Sequence, residues 1–177
     1  MKNKVFIATS LDGFIADKNG KIDFLHSTPN PNGDDMGYGN FISGIDAIIM
    51  GRTTYEVVLG FDVDWPYSVP VFVLSSSIKS IPKSLQDKVQ ILSGSLNDIL
   101  DQIHLLGYAN LYIDGGKTIQ SFLNEDLIDE ITITRIPLLL GEGIPLFGSL
   151  IESLNFRCTE SKIYLNSVVQ NKFERNI

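Results

Sequence analysis

The sequence predicts an α/β fold, with a mixed, mainly parallel central sheet lying between two layers of helices. Up to Asp129, short apolar runs alternate with stretches of helical periodicity, which is typical of this class. Several of the runs are apolar throughout, as expected for central strands that are covered on both faces. After Asp129 the strand-like segments follow one another without helices, which predicts antiparallel strands at the C-terminal end of the sheet.

The apolar runs give the positions of the predicted strands. In the first part of the chain they lie at residues 5–8, 47–50, 69–74, 89–92 and 111–113. In the last part they lie at residues 130–136, 156–165 and 167–173. The polar, Gly- and Pro-rich stretch at residues 17–40 is long for a passive loop, and such loops are often functional.

Helices are predicted between the first strands. Leu96, Ile99 and Ile103 recur at helical spacing, with Ser95 as the N-cap and Gly107 as the stop. A second helix begins just after the glycines at 115–116, and a shorter one covers residues 53–59.

Composition limits the class of protein. A chain of 177 residues fits one domain over residues 1–177, and a net charge of -7 argues against a nucleic-acid or anionic-membrane surface. The single cysteine, Cys158, cannot form an internal disulfide, and no apolar stretch approaches the ~20 residues of a membrane helix. We therefore expect a soluble, cytoplasmic protein.

The most informative string is IDGGKT at residues 113–118, where a buried strand ends, two glycines follow and a helix begins. Such a turn lets the backbone approach a ligand, and the helix start offers free N–H groups to a phosphate. An ordinary strand-to-helix turn explains it equally well. A P-loop is excluded because Leu111 stands at its first glycine, and a Rossmann G-x-G-x-x-G at Gly141 fails at Leu146.

Two further strand ends carry groups that suit phosphate. Arg52 opens the helix after the second strand with a planar fork of donors, and threonines follow it. Ser75 and Ser76 end the third strand. Each alone is also explained as a helix cap or a surface turn. Their convergence matters, because open α/β sheets bind ligands at the carboxyl ends of their strands.

Candidate acids lie in or beside the long loop, at Asp12, Asp23, Asp34 and Asp35. A carboxylate near a hydride-transfer site can anchor substrate N–H groups or assist protonation, although most loop aspartates cap turns. Asp35 also precedes a short predicted helix, so a role at that helix start competes. The two histidines, His26 and His104, are far apart and form no cluster with the cysteine, so no metal site is expected.

Together these strings resemble the dihydrofolate reductase fold, and within it the reductase domain of bacterial riboflavin biosynthesis, as a stand-alone member. The resemblance covers nearly the whole chain and depends on the order and spacing of its strings. They are residues 10–16 (SLDGFIA), 50–56 (MGRTTYE), 73–76 (VLSS), 113–116 (IDGG), 128–131 (IDEI) and 137–147 (PLLLGEGIPLF).

The resemblance implies NADPH as the hydride donor and a small heterocyclic substrate. The implied activity is that of a 5-amino-6-(5-phosphoribosylamino)uracil reductase. Asp35 is the candidate catalytic residue, with the proton coming from Asp35 or from an ordered water, and Asp35 could instead anchor the substrate. Substrate contacts would come from Asp12, Phe24 and Asp35. The implied cofactor-binding residues are Ala8, Ile15, Gly51, Arg52, Thr53, Thr54, Leu74, Ser75, Ser76, Asp114, Gly115, Gly116, Lys117 and Thr118.

Departures from the family fall on the substrate side. Phe24 replaces the usual loop tryptophan, and the segment between it and Asp35 is longer than in dihydrofolate reductases. The chain also has no room for the deaminase that normally accompanies the riboflavin reductase. Two alternatives stay open: a reductase of dihydropteridines, and a dinucleotide-binding protein without turnover. Relatives in the riboflavin subgroup imply a homodimer.

Overall fold

The computed structural model of the chain describes residues 1–176, which contain ten strands, four α-helices and 3-10 turns at Asp23–His26 and Lys83–Leu85. The strands are β1 (Lys2–Ser10), β2 (Phe14–Asp17), β3 (Ala47–Gly51), β4 (Val71–Leu74), β5 (Val89–Leu92), β6 (Asn110–Asp114), β7 (Glu130–Ile136), β8 (Gly143–Pro145), β9 (Phe156–Tyr164) and β10 (Val168–Arg175). The helices are α1 (Tyr38–Ile42), α2 (Arg52–Leu59), α3 (Leu96–Leu105) and α4 (Gly116–Asn124).

Within this described part, eight strands form one sheet in the order β5-β4-β3-β6-β1-β7-β10-β9. Neighbouring strands from β5 to β7 are parallel, whereas β10 pairs antiparallel with both β7 and β9. The predicted mixed sheet with antiparallel C-terminal strands is therefore confirmed. Because β1, β3, β4 and β6 are parallel, the residues that follow them meet at one edge of the sheet.

Helices cover both faces of the central strands, as the apolar runs predicted. Along β3, Ala47 and Ile49 pack into the core cluster that contains residues of α3 and α4. Ile48 and Met50 point to the other face and pack into the cluster that contains residues of α2. This alternation buries every one of the four side chains, which explains why the strand has no polar position.

Helix α3 begins and ends where the sequence predicted. The Ser95 hydroxyl accepts a hydrogen bond from the Asp98 N–H at 3.2 Å, which satisfies one of the free donors of the first turn. Leu106 is the C-cap, and Gly107 follows it with a φ of +92°. A positive φ suits glycine at the end of a helix.

A small second sheet was not predicted. Strand β2 pairs antiparallel with β8 in a short, irregular ladder, with Phe14 opposite Pro145 and Asp17 opposite Gly143. Strand β8 has three residues within a Gly- and Pro-rich segment, so the sequence has no apolar run to mark it. Ile15 of β2 packs against Gly116 at the start of α4. The β2–β8 pair therefore lies against the carboxyl edge of the main sheet.

Candidate active site

Two helices begin at the carboxyl edge of the sheet without a capping side chain. Helix α2 follows Gly51, and α4 follows Gly115; neither start receives a side-chain hydrogen bond, in contrast to Ser95 of α3. The first N–H groups of a helix have no intrahelical partner and lie at the positive end of its dipole. The two starts therefore present backbone donors that suit an anion.

Close contacts bring these two starts together. A Cβ built at Gly115 would overlap the Thr54 hydroxyl of α2, and one built at Gly51 would lie 2.8 Å from Thr118 Oγ1 of α4. Each glycine thus faces a threonine of the other helix. A Cβ at Gly116 would lie 2.5 Å from Ile15 Cδ1. Glycine is required at position 115 for two reasons. A Cβ there would collide with Thr54, and the φ of +90° is one that other residues rarely adopt.

Arg52 lies beside the ends of β4 and β5. It borders a surface pocket of about 400 Å³ together with Leu74, Ser75, Ser76 and Leu92. Its guanidinium is about half exposed and lies 3.4 Å from Glu56 Oε1, one helical turn away. Exposed pairs of this kind contribute roughly 0–1 kcal/mol, so the arginine is available to a stronger anion.

The serines after β4 have different environments. Ser75 Oγ accepts hydrogen bonds from the Ser77 and Ile78 N–H groups, both at 3.1 Å, so it shapes the turn. Ser76 is exposed in the same pocket. Both predicted serines are therefore brought next to Arg52, with Ser76 the freer of the two.

The other predicted cofactor residues lie on the same elements. Thr53 and Lys117 are exposed in the first turns of α2 and α4. Thr118 is buried where the starts of the two helices meet. Ala8 lies near the end of β1, opposite Thr134 of β7, and is partly buried. The roles of these residues stay predictions.

Asp114 ends β6 directly before the two glycines and is partly buried. Its Oδ1 accepts a hydrogen bond from the Gly115 N–H at 2.8 Å. Burial raises the pKa of the Asp114 carboxyl, and this effect outweighs the stabilisation of the carboxylate by hydrogen bonding. Its proton is therefore held more tightly than that of an exposed aspartate.

Asp35 has the geometry of a helix-start residue. Its Oδ1 accepts from the Gly37 N–H and its Oδ2 from the Gly39 N–H, both at 2.8 Å, and the residue is exposed. These two bonds, to Gly39 first, lower the pKa of the Asp35 carboxyl. A carboxylate that accepts a backbone hydrogen bond on each oxygen and has a lowered pKa is a poor proton donor. Its catalytic role stays a prediction, and the geometry argues for the competing role at the start of α1.

Asp12 connects two loops. Its Oδ1 accepts from the Ser10 hydroxyl at 2.6 Å, and its Oδ2 accepts from the Gly141 N–H at 2.8 Å. These bonds, to Ser10 first, lower its pKa. Phe24 is buried in a small cluster with Ile136 and Val168. Both of the predicted substrate residues therefore have structural partners, and their contacts with a substrate stay predictions.

Three tyrosines that the sequence did not single out lie near enough to Asp114 for its charge to affect them. Burial raises the pKa of Tyr38, Tyr67 and Tyr112, and the charge of Asp114 raises it further in all three. Tyr112 stands two positions before Asp114 on β6, so strand alternation alone places them on one face. Tyr38 and Tyr67 come from α1 and from the loop before β4, and only the folded chain brings them there.

No helix within residues 1–176 has both the length and the apolar character needed to cross a membrane.

Comparison with known proteins places this chain in a family. A sequence profile of the RibD C-terminal domain matches residues 4–170. Protein YwjB of Bacillus subtilis is 35% identical over 170 residues, covering 94% of either chain. The riboflavin biosynthesis protein RibD of Aquifex aeolicus is 32% identical over 111 residues, which cover 58% of this chain and 31% of that protein.

Solved structures agree with this assignment. A protein from Shewanella sp. PV-4 named for riboflavin biosynthesis is 53% identical with a TM-score of 0.97 and covers 100% of both chains. The deaminase and 5-amino-6-(5-phosphoribosylamino)uracil reductase of Thermotoga maritima is 14% identical with a TM-score of 0.76, covering 99% of this chain and 56% of that one. Dihydrofolate reductase of Enterococcus faecalis, complexed with NADP(H), is 17% identical with a TM-score of 0.67. The match covers 99% of this chain and 97% of that one. The last two likenesses show the fold, and relatives with this fold include reductases. The chain belongs to the family of the RibD C-terminal domain.

Proposed function

We propose that this protein is an NADPH-dependent reductase that transfers hydride to a small heterocyclic substrate, of the 5-amino-6-(5-phosphoribosylamino)uracil reductase type. The observation that carries the proposal is the pair of uncapped helix starts, α2 and α4, which meet through Gly51 and Gly115. Backbone donors converge there without a side chain to satisfy them, as a pyrophosphate site requires.

The fit of a dinucleotide follows from the positions of the charged and small residues. Gly115 packs against Thr54 of α2 and Gly116 against Ile15 of β2, so that the start of α4 lies close to both elements. Arg52 and Ser76 border the pocket at the ends of β4 and β5, and would bind the 2′-phosphate of the adenosine half. Ala8 and Ile15 would flank the nicotinamide. The bound dinucleotide would supply the hydride.

Titration tests the cofactor half of the proposal. We expect NADPH and NADP⁺ to bind at micromolar concentrations and NADH to bind more weakly, measured by calorimetry or by quenching of Trp65 fluorescence. If no dinucleotide binds in this range, the proposal is refuted.

Turnover tests the substrate half. NADPH oxidation would be followed at fixed protein concentration with a phosphoribosylaminopyrimidine and, separately, with a dihydropteridine. Acceleration by the first alone supports the proposed type, and acceleration by the second alone favours a dihydropteridine reductase. NADPH binding without acceleration by either would support the alternative, a dinucleotide-binding protein without turnover.

We also propose that the protein acts as a cytoplasmic homodimer. The riboflavin subgroup that the sequence resembles supports the dimer, and the exposed, unpaired Cys158 suits a reducing compartment. Sedimentation equilibrium at micromolar concentration, which separates 19.6 kDa from twice that mass, tests the dimer.

A further inference from the structure

A second pocket, of about 240 Å³, lies between α1 and the main sheet, and we call it the sheet pocket. None of the residues assigned above to the cofactor or the substrate lines it. Four neighbouring strands form its floor, where Phe6 of β1, Thr132 of β7, Lys172 of β10 and Glu160 of β9 lie side by side. A sheet face that a helix covers is normally apolar, so the charged and polar floor suits a polar occupant better than a packed helix.

The sheet pocket and the uncapped helix starts lie on opposite sides of β1. The helix starts follow β3 and β6, whereas the floor of the pocket extends from β1 to β7, β10 and β9. On β1 itself, the pocket is lined by Lys4 and Phe6, and the strand ends only at Ser10. At 3.2–3.4 Å per residue, Phe6 lies roughly 13 Å from that end. The two places can therefore hold different ligands.

The lining of the sheet pocket has an excess of positive charge. It contains three lysines, Lys4, Lys162 and Lys172, and two glutamates, Glu130 and Glu160, which gives a net charge of +1. The whole chain, in contrast, has a net charge of -7. A concave site lined by one sign of charge raises the local concentration of the opposite ion, so the pocket favours anions.

Glu130 is already neutralised by two lysines. Its Oε1 lies 2.5 Å from Lys2 Nζ, and its Oε2 lies 2.8 Å from Lys172 Nζ. Burial alone would raise the pKa of the Glu130 carboxyl, but hydrogen bonds from Lys172 and Lys2 lower it below its ordinary value. The carboxylate is therefore charged at neutral pH and paired on both oxygens. It offers little further compensation to Lys4, which lies opposite it in the β1–β7 ladder.

Lys4 has no ion-pair partner in the described part of the chain. The residue is partly buried, and it takes part in none of the ion pairs formed within residues 1–176. Its charge reaches the Asp46 carboxylate, but Asp46 Oδ2 accepts hydrogen bonds from the Ala109 and Asn110 N–H groups at 2.9 and 2.7 Å. A partly buried ammonium without a paired carboxylate favours an anion from outside the chain.

Neutral donors complete the lining and indicate the class of anion. The Thr132 and Tyr164 hydroxyls and the Asn40 amide can each donate a hydrogen bond. No arginine lines the pocket among residues 1–176, and lysines bind phosphate as point charges without the planar fork that matches a carboxylate. The volume is below the ~300–1,000 Å³ of drug-sized ligand sites, so the pocket suits a small molecule.

We propose that the sheet pocket is a second ligand site, which binds a small phosphate monoester that also carries hydroxyl groups. The phosphate would lie beside Lys4, Lys172 and the Thr132 hydroxyl, and the ligand hydroxyls would donate to the Glu160 carboxylate. The proposal goes beyond the reductase function and does not depend on it, because binding can be measured without NADPH.

Titration with glycerol 3-phosphate tests where the anion binds. We expect saturable binding in the millimolar range, followed by shifts of backbone amide signals in nitrogen-15 NMR. The shifts should be largest at Phe6, Thr132 and Lys172. Shifts confined to Gly115 and Lys117, at the start of α4, would mean that the phosphate binds only at the uncapped helix and would overturn the proposal. Absence of any saturable shift would overturn it as well.

Two variants test the lining. Lys4→Gln removes one charge-assisted hydrogen bond and should weaken the affinity for glycerol 3-phosphate roughly 10- to 100-fold. Thr132→Val keeps the shape of the floor and removes only a hydroxyl, so a loss of about 2- to 10-fold is expected. The matched control is Lys83→Gln, since Lys83 is exposed and forms none of the ion pairs within residues 1–176. Wild-type affinity in both Lys4→Gln and Thr132→Val would overturn the proposal.

A turnover assay separates a second site from a part of the active site. A phosphate monoester in the pocket could be a free molecule or the phosphate end of the reductase substrate. Glycerol 3-phosphate would be added at saturating NADPH, and we expect the KM for a phosphoribosylaminopyrimidine to stay unchanged. Competition that Lys4→Gln abolishes would make the pocket part of the active site and overturn the claim of a second site. Absence of NADPH binding would refute the proposed function alone, because the titration does not need the cofactor.

Discussion

Thr54 on α2 lies against Gly115 at the start of α4, so close that a methyl group at position 115 would overlap the threonine hydroxyl. The contact joins two strand-to-helix turns that are 61 positions apart in the sequence. It fixes the spacing between two sets of free backbone N–H groups. The site therefore depends on the absence of a side chain as much as on the presence of donors.

Gly115→Ala should damage both folding and binding. The φ of +90° is strained for alanine, which costs about 1–3 kcal/mol, and the collision with Thr54 adds to this. We expect a lower urea midpoint and at least a tenfold weaker NADPH affinity, because the two helix starts must move apart.

Gly107→Ala is the matched control for this variant. Gly107 has a φ of +92°, but a Cβ there would meet nothing within 4 Å. It should show the backbone strain without the loss of NADPH affinity. Equal NADPH affinity in the two variants would contradict the role of the Thr54–Gly115 contact.

Much of the fold followed from the sequence, because buried strands and amphipathic helices leave a local pattern. β3 is apolar at four successive positions, and the Ser95 cap marks the start of α3. The β2–β8 pair was missed because its short strands hold no such pattern. Their pairing depends on a long-range contact in which Leu146 N–H donates to Gly13 C=O at 3.0 Å.

The candidate site also has a part that local sequence patterns predict and a part that they do not. The proposed cofactor side consists of strand ends followed by Gly, Arg or Ser, so topology alone brings Arg52, Ser75 and Gly115 to one edge of the sheet. The aspartates proposed for the substrate side differ in burial, and burial is a property of the folded chain. Tyr38 and Tyr67 lie far from Asp114 in the sequence, so no local string could show that Asp114 is partly buried while Asp35 is exposed.

Arg52→Ala tests the recognition of the 2′-phosphate. A charge-assisted hydrogen bond contributes about 1.5–3 kcal/mol, so we expect NADPH to bind roughly 10- to 100-fold more weakly and NADH to change little. The control is Arg157→Ala, since Arg157 is also an exposed arginine 3.4 Å from a glutamate oxygen. Equal losses for NADPH and NADH would remove Arg52 from the 2′-phosphate site.

Asp35 gives a test that separates a helix-start role from catalysis. Each Asp35 oxygen accepts one backbone N–H bond, so asparagine can keep one of the two bonds through its single amide oxygen, whereas alanine loses both. We therefore expect Asp35→Asn to lose less stability than Asp35→Ala, and both variants to keep turnover per folded molecule. Urea denaturation alongside NADPH oxidation checks both. A hundredfold loss of kcat in Asp35→Asn would show that the carboxyl itself takes part.

The burial of Asp114 predicts a pH-dependent effect on stability. Its pKa in the folded protein is raised above that of the unfolded chain, so between the two values the folded state binds more protons. The free energy of unfolding then decreases as pH rises through that window, and the whole penalty remains at higher pH. Asp114→Asn removes the ionisable group and with it the penalty.

Asp114→Asn should therefore be more stable than the wild-type protein at neutral pH. The gain should vanish below about pH 4, where the aspartate is protonated in both states. For a chain of this size each kcal/mol corresponds to ~2–4 °C in Tm, so calorimetry across pH 4–8 resolves it. Asp101→Asn, on an exposed helix face, should show no such trend. A variant less stable than wild type at pH 8 and equal at pH 4 would mean that the Asp114 carboxylate stabilises the fold, which is the opposite of what its burial predicts.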